Sequence, residues 1–324
     1  MRLVEEINVF RYYKPFIEAA GGVGELKKAI SWSIWYAVKW WEEVFGELGV
    51  SSIRESMFAR SLFISLRVRG YIDENGEIKK KPERPIYPIN SYAIEFVELH
   101  ESFDKLGAVN VATNRVDENS ISIIYSTMLS QGWYRVLRST FLELVEVENY
   151  DVIFEPIIKE GHNAMAVFEI HRPKLYIGFD YRKDNIELAS AALGTRPGDC
   201  SESICIYTAP TACDAVKIAK DYVQNGVDAI LLLHTLYWLI DPVKELSCLS
   251  TILRRDGKLI IGQQVVESTP GLVAMVVAMG AKHTFSWRGV ENILKASGYI
   301  RRKRFLRYMP YYIAIWEPRR ARET

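Results

Sequence analysis

His234, Tyr237 and His283 are the side chains of the carboxyl-terminal half best suited to move a proton, and each stands in or near a break between apolar segments. A histidine titrates near neutral pH, so its free nitrogen can take the proton of a hydroxyl group as that oxygen attacks an electrophile. Tyr237 suits binding a polar group better than acting as a base. A second set, Glu155, Gly161 and Asp180, has the spacing of a ligand site. Ligands of parallel α/β sheets bind outside the carboxyl ends of the strands, where a tight turn brings backbone close and an acidic residue accepts hydrogen bonds from ribose hydroxyls. Asp180 is placed for that second task. Each of these residues also has an ordinary structural explanation, and the histidines and Tyr237 stay open alternatives for the base.

The elements that must position them can be read from pattern and punctuation. Residues from Tyr150 onward predict an apolar strand ending at Glu155, a turn ending at Gly161, a helix from about Asn163 and a second strand ending at Asp180. The next helix has Asp184 and Glu187 in capping-box spacing and Gly194 as its stop. "SICIYTAP" (Ser203 to Pro210) is a third strand. The stretch from Asp228 to Ser268 supplies another apolar strand, a break carrying His234, Tyr237 and Trp238, an Asp-Pro helix start and a further strand after Gly257. Pro270 and Gly280 bound an apolar helix in which Met275 and Met279 share one face. A helix over Glu291 to Gly298 and an antiparallel pair in "RFLRYMPYYIAIWEP" complete an α/β fold.

This order of elements resembles the class I S-adenosylmethionine (AdoMet)-dependent methyltransferases. In that family the last glycine of the cofactor loop stands about twenty residues before the acid that closes the second strand, as Gly161 does before Asp180. The resemblance implies a Rossmann-like domain that binds AdoMet through Glu155, Gly161, Asp180, Thr208, Ala209 and Leu233. The family's loop reads acidic-x-Gly-x-Gly-x-Gly, whereas this chain places Ile157 and Lys159 at the first two glycines. Glycine serves there because it lacks Cβ and accepts positive φ. Thr208, Ala209, Pro210 and Thr211 stand where many relatives carry an acid beside the adenine. These departures keep a second function open, that of a binding or scaffold protein that has lost methyl transfer.

Within the family the resemblance is closest to the small-molecule O-methyltransferases, whose class I domain follows a helical, winged-helix-like dimerisation domain. It implies O-methyl transfer from AdoMet to a small, largely apolar hydroxylated acceptor. Trp238 and the methionine helix, Met275 and Met279, would line the acceptor pocket. The relatives' catalytic histidine falls at Tyr237, and one of its acidic supports near His283. No residue inherits the base role outright, so His283, His234 and Tyr237 are the candidates.

The first 148 residues have a different texture, which divides the chain into 1–148 and 149–324. Gly24 to Leu48 predicts a helix carrying Trp32, Trp35, Tyr36, Trp40, Trp41 and Phe45. One helix face cannot bury all of these against its own domain, so part of it is expected to meet another chain in a homodimer. A second helix over Ser52 to Arg67 leads to Asn75-Gly76, a hairpin signal that gives a winged-helix pattern. Lys79, Lys80, Lys81 and Arg84 fit a solvated loop better than nucleic-acid phosphates. With Arg301, Arg302, Lys303 and Arg304 they nevertheless carry a third reading, a nucleic-acid-binding or nucleic-acid-modifying protein. Helices over Ser91 to Leu106 and Ser120 to Val147 would join the halves and roof the acceptor cavity.

Composition bounds the rest. With 324 residues, 49% of them hydrophobic, the chain can build two sizeable cores, and a net charge of +1 gives no global pull toward nucleic acid or anionic membrane. The longest apolar run, Ala229 to Ile240, falls short of the ~18 residues that a membrane span needs. The start, Met1 to Glu6, shows no signal-peptide core, so a soluble cytoplasmic protein without membrane partners is expected. Cys200, Cys205, Cys213 and Cys248 lack the paired spacing of a zinc site, predicting no metal and buried free thiols. A total of 4 glutamines suits a hot-adapted source, in which an intracellular disulfide is less surprising.

Overall fold

The computed structural model describes residues 14–201, 203–305 and 311–319. Its frame is one 8-stranded sheet: β1 (Val152–Pro156), β2 (Leu175–Asp180), β3 (Cys200–Ser201), β4 (Ile204–Thr208), β5 (Val227–Leu233), β6 (Leu253–Gln264), β7 (Tyr299–Phe305) and β8 (Tyr311–Pro318). The spatial order is β3-β4-β2-β1-β5-β6-β8-β7. Strands β4, β2, β1, β5 and β6 pair in parallel, β8 and β7 antiparallel. Every residue of β5 is buried, as expected of a parallel strand covered on both faces. The chain winds outward from β1 in one direction and from β5 in the other, leaving a crevice at the carboxyl ends of these two strands.

The preceding half is mostly helical. Helix α1 (Val23–Leu48) is followed by α2 (Met57–Val68), α3 (Ser91–Asp104), α4 (Glu118–Ser130) and α5 (Gly132–Leu144). Two predicted helices are broken. The one over Ser52 to Arg67 stops at Ser56, whose extended backbone and Oγ, accepting from the Ala59 N–H, start α2 afresh. The one over Ser120 to Val147 breaks at Gln131, also extended. The hairpin signal closes as a tight turn with a single antiparallel bridge, Ile72 to Ile78, in place of a two-stranded wing. Asp73 Oδ1 accepts from the N–H groups of Asn75 and Glu77 inside this turn.

Helix α1 corrects the expectation of an aromatic surface facing another chain. Trp32, Tyr36, Trp40 and Trp41 are buried within this chain, and only Trp35 and Phe45 are half-buried. The helix is wrapped on several sides, by α2 and α3 and by α10 (Pro270–Ala278) from the sheet half. The contact with α10 is close: a Cβ on Gly271 would stand 2.5 Å from the Ser33 carbonyl oxygen. Met275 of α10 is fully buried in this packing and Met279 half-buried, so this helix joins the two halves.

The basic runs are largely engaged by the protein's own surface. Lys81 pairs with Glu42, Lys80 lies 5.6 Å from the Tyr71 ring, and Arg84 lies 5.4 Å from the Trp32 ring. Arg301 and Arg304 meet Glu291, Arg302 meets Glu317, and Lys303 covers the Phe305 ring. The thiol expectation is overturned as well. Cys200 is bonded to Cys205 across the β3–β4 pair, and Cys213 to Cys248 between α8 (Ala212–Ala219) and α9 (Pro242–Ser250). Only Cys205 is buried, and half-exposed cysteines on neighbouring elements are free to pair.

Candidate functional site

Glu155 and Asp180 close the adjacent parallel strands β1 and β2, and both are fully buried. Asn163, at the start of α6 (His162–Ile170), donates through Nδ2 to Glu155 Oε1 at 2.6 Å and reaches the Leu233 carbonyl at 3.5 Å. One side chain thus ties the ends of β1 and β5 to the cofactor-type loop. Tyr176 donates its hydroxyl to Glu155 Oε2 at 2.5 Å, and Arg138 Nε donates to Asn163 Oδ1 at 3.1 Å. Burial pushes the Glu155 carboxyl up to about 7, because a charge there has lost most of its water.

The loop between them keeps a glycine-like path without the glycines. Ile157 has φ 64° and Lys159 φ 54°, both left-handed, and Gly161 follows at φ 83°. A β-branched residue is strained there, since its Cβ crowds the following carbonyl. The loop is held by Asp180, whose Oδ2 accepts from Lys159 N–H at 3.0 Å while Oδ1 accepts from Arg182 N–H at 2.8 Å. Ile158 anchors it from the other side, its N–H bonded to the Phe179 carbonyl at 2.8 Å. Its side chain fills the space above Gly178, where a Cβ would lie 2.3 Å from Ile158 Cδ1.

Lys159 is only half-buried as a residue, but its ammonium is enclosed. Nζ lies 4.5 Å from the Trp238 ring centre, 5.3 Å from Tyr125 and 6.0 Å from Tyr237, and 3.4 Å from the His234 carbonyl oxygen. Burial drives its pKa down to about 7, against the opposing pull of Asp180, Glu160 and Glu155. His234 also has positive φ, 54°, and packs between Tyr134 and Tyr311 with ring centres 5.2 and 5.6 Å away. Burial, reinforced by the cations of Lys159 and Arg138, holds its imidazole well below the usual range, so it is neutral. His234 Nδ1, Thr235 Oγ1, Trp238 Nε1 and the Tyr125 hydroxyl are buried and have no hydrogen-bond partner. Four such orphans thus lie together at this sheet edge, where a ligand or water could satisfy them.

The structure brings together Glu155, Gly161, Asp180, Leu233, His234, Tyr237 and Trp238. Thr208 pairs in register with Asp180 but is exposed, and Ala209 is buried with its N–H on the Asp180 carbonyl. His283 does not join them. Its ring faces the Ile240 carbonyl and Phe285 rather than Lys159 or His234. The Tyr237 hydroxyl donates to Gln264 Oε1 at 3.3 Å, and burial raises its pKa far above its ordinary value, which suits a donor and not a base. Sequence reasoning missed Tyr125, Tyr134 and Arg138, which reach the site from α4 and α5. It also missed Glu245, whose carboxylate accepts from the N–H groups of Ala212, Ile240 and Asp241 and so pins the loops after β4 and β5. Among the described residues no group of acids, histidines and cysteines could hold a metal ion, and no helix is long and apolar enough to cross a membrane.

Two partly open spaces flank this constellation. One of about 20 Å³, room for about one water, is lined by Lys159, Glu160, Asn163, Arg138, Tyr134 and Leu233. The other, about 40 Å³ and almost wholly apolar, lies between the helical half and the sheet beside Phe96, Trp133, Thr269 and Tyr311.

No family model matches the sequence, and no curated protein matches it. Solved structures do match its shape. The carbon methyltransferase DszA aligns with TM-score 0.64 at 11% identity over 97% of this chain and 93% of that one. The CMeT domain of the citrinin polyketide synthase aligns with TM-score 0.63 at 13% identity over 97% and 95%. An O-methyltransferase family 2 protein from Planctomyces limnophilus, in complex with apigenin, gives TM-score 0.50 at 13% identity over 91% and 93%. At these identities the likeness speaks for the fold, and it extends through the helical half. The chain has the fold of the class I AdoMet-dependent methyltransferases, a Rossmann-like domain preceded by a mainly helical one.

Proposed function

We propose that this protein is an AdoMet-dependent methyltransferase acting on a small, largely apolar acceptor, with a hydroxyl oxygen as the methylated atom. The observation that carries this reading is the convergence of Glu155, Gly161 and Asp180 at the carboxyl ends of β1 and β2, beside the point where the strand order reverses. The residues fit the cofactor. Asp180 is a buried acid at the end of β2 that now accepts from the N–H groups of Lys159 and Arg182 and from the Asn185 side chain, bonds that ribose hydroxyls would share or replace, and the rings around Lys159 Nζ already accept one positive charge. Thr208, Ala209 and Leu233 would border the nucleoside. When bound, AdoMet supplies an activated methyl group, so the chain's task is placement and exclusion of water. Neutral His234 is the base candidate that lies in the site; its low pKa makes it a weak acceptor of the hydroxyl proton. The apolar space by Phe96, Trp133 and Tyr311 supports an apolar acceptor.

The chain is proposed to fold as domains 1–148 and 149–324 and to work in a cytoplasm, where two disulfides suit a thermophilic source. A homodimer would use faces other than the buried stripe of α1. Ile86 and Ile89, 77% and 84% exposed on the segment that lies along it, are one such place, and light scattering at micromolar concentration reads the assembly.

Calorimetry with AdoMet tests the function. Asp180→Ala should weaken binding by about 1.5–3 kcal/mol, as for loss of a hydrogen bond to a charged acceptor. Turnover would then be sought with phenols and with β-dicarbonyl compounds, which separate oxygen from carbon acceptors. The 20 Å³ left beside the loop favours a second reading, a binding protein that no longer transfers methyl groups, and absence of heat with AdoMet would support it.

A further inference from the structure

We propose that Tyr125, Tyr237 and Trp238 form a cage for the positively charged centre of the bound cofactor, and that the ammonium of Lys159 is the cage's built-in competitor. This rests on the AdoMet reading and says which part of the ligand this chain controls. Three rings within about 6 Å of one cation are an arrangement that attracts charge through the ring faces. The rings come from separate elements, Tyr125 from α4 and the other two from the turn after β5, so they converge only in the folded chain. The Tyr125 hydroxyl and Trp238 Nε1 are left without partners at the same place, as is His234 Nδ1 beside it. A lysine that merely needed shelter would not require that cost.

Two cations cannot share the cage, because at contact distance in a poorly solvated site they repel strongly. A sulfonium can enter only when Lys159 swings out, and the neutral amine, no longer held by Asp180, Glu160 and Glu155, leaves the rings more readily than the charged one. The groups facing Lys159 are Tyr125 of α4, Tyr134 and Arg138 of α5, Glu155 of β1, Glu160 of the loop, Asp180 of β2, His234 after β5 and Tyr237 of the following turn. The acids favour the charged amine; burial and Arg138 oppose it, leaving the amine to titrate at about 7. The outcome is discrimination by charge: AdoMet, a cation, competes with Lys159, while S-adenosylhomocysteine, its uncharged thioether product, does not.

The test compares the dissociation constants of these two ligands, by calorimetry from pH 6 to pH 8, in the wild type, Lys159→Met and Lys159→Arg. In the wild type AdoMet should tighten about tenfold across this range relative to S-adenosylhomocysteine, as one proton is released near pH 7. Lys159→Met should bind AdoMet as tightly at pH 6 as at pH 8, and Lys159→Arg should bind it weakly at both. A ratio independent of pH and of residue 159 would overturn the proposal. If neither nucleoside binds any of the three proteins, the AdoMet reading fails on its own, and trimethylsulfonium tests the cage directly. Quenching of tryptophan emission in Lys159→Gly, absent in the wild type and in Lys159→Gly with Trp238→Phe, would uphold the cage. No quenching in Lys159→Gly would sink it.

Discussion

Two histidines, His100 and His234, are buried to nearly the same degree, 0% and 2% exposed, among aromatic rings, yet their surroundings have opposite logic. His100 lies in the helical half with both nitrogens engaged, Nδ1 at 2.8 Å from the Phe96 carbonyl and Nε2 at 3.1 Å from Ser33 Oγ. The tryptophans around it are satisfied too. Trp40 Nε1 donates to Asp104 at 2.8 Å, Trp41 Nε1 to the Gly76 carbonyl at 2.8 Å, and Trp32 Nε1 to the Ile86 carbonyl at 3.3 Å. Around His234 the N–H of Trp238, the hydroxyls of Tyr125 and Thr235, and His234 Nδ1 have no partner. Left-handed non-glycine residues cluster there as well, at 157, 159 and 234. The helical half has buried orphans too, Ser61 Oγ and Ser65 Oγ on α2, but they are hydroxyls of one helix, whereas around His234 orphans from α4 and from the turn after β5 meet left-handed backbone, an arrangement suited to something that arrives later.

The largest effect that separates the two regions is deletion of a ring. Trp40→Ala should cost about 3–5 kcal/mol in urea unfolding, since it opens a cavity in a packed core and takes one of two donors from Asp104 Oδ1, which keeps Lys39. Trp238→Ala should cost less, about 2–3 kcal/mol, because losing its buried ring opens a cavity as well but its N–H leaves no acceptor short of a donor. Equal losses would mean that the sheet edge is an ordinary core.

Buried acid and buried base give the regions opposite pH dependence. Glu155, at about 7 when folded against 4.5 as its ordinary value, supports the fold at low pH and loses that support as pH rises from 4.5 to 7. His100, held at about 4 against 6.5, does the reverse and loses its support as pH falls from 6.5 to 4. The stability difference between wild type and Glu155→Gln should therefore shrink from pH 4.5 to 7, by on the order of 3 kcal/mol in full. A flat difference would show that Glu155 is already ionised at pH 5.

Replacing each histidine by phenylalanine keeps the ring and removes the nitrogens. His100→Phe should destabilise by about 1–3 kcal/mol, as the Phe96 carbonyl loses its second donor, keeping only the helical N–H of residue 100, and Ser33 keeps only the Leu272 N–H. His234→Phe removes an orphan and should be neutral or slightly stabilising in the same assay, while weakening whatever binds there. A strong loss at 234 would mean that its nitrogens are satisfied in solution.

The contrast between these regions was only half visible in the sequence. Apolar runs, Gly161, Gly194, Pro242 and the acids ending β1 and β2 are local signals, and the sheet half follows them. The closure of α1 inside its own chain was not legible, because six aromatics on one helix look the same whether the partner is α10 from 220 residues onward or a second subunit. Lys159 was visible as a departure from glycine, but its cage was not, since Tyr125 is one ring among many until α4 meets the turn after β5. The pairing of Cys213 with Cys248 likewise depends on α8 and α9 lying side by side, which no spacing encodes.

The smallest predicted effect concerns left-handed residues. Asn114, at φ 54°, is exposed in the helical half, and Asn tolerates this region because its short side chain bonds locally. Asn114→Gly should change stability by no more than about 0.5 kcal/mol. Lys159 has the same φ, but no such excuse, and its ammonium is desolvated. Lys159→Gly relieves strain worth about 1–3 kcal/mol and frees a buried cation, at the cost of contacts with three rings and the entropy glycine loses on folding. The balance should be a gain of about 1 kcal/mol at pH 6, where the wild-type amine is charged, narrowing toward pH 8, where it is neutral. A destabilised Lys159→Gly at both pH values would mean that the lysine belongs to the loop as firmly as His100 belongs to its core, and the two regions would no longer differ in kind.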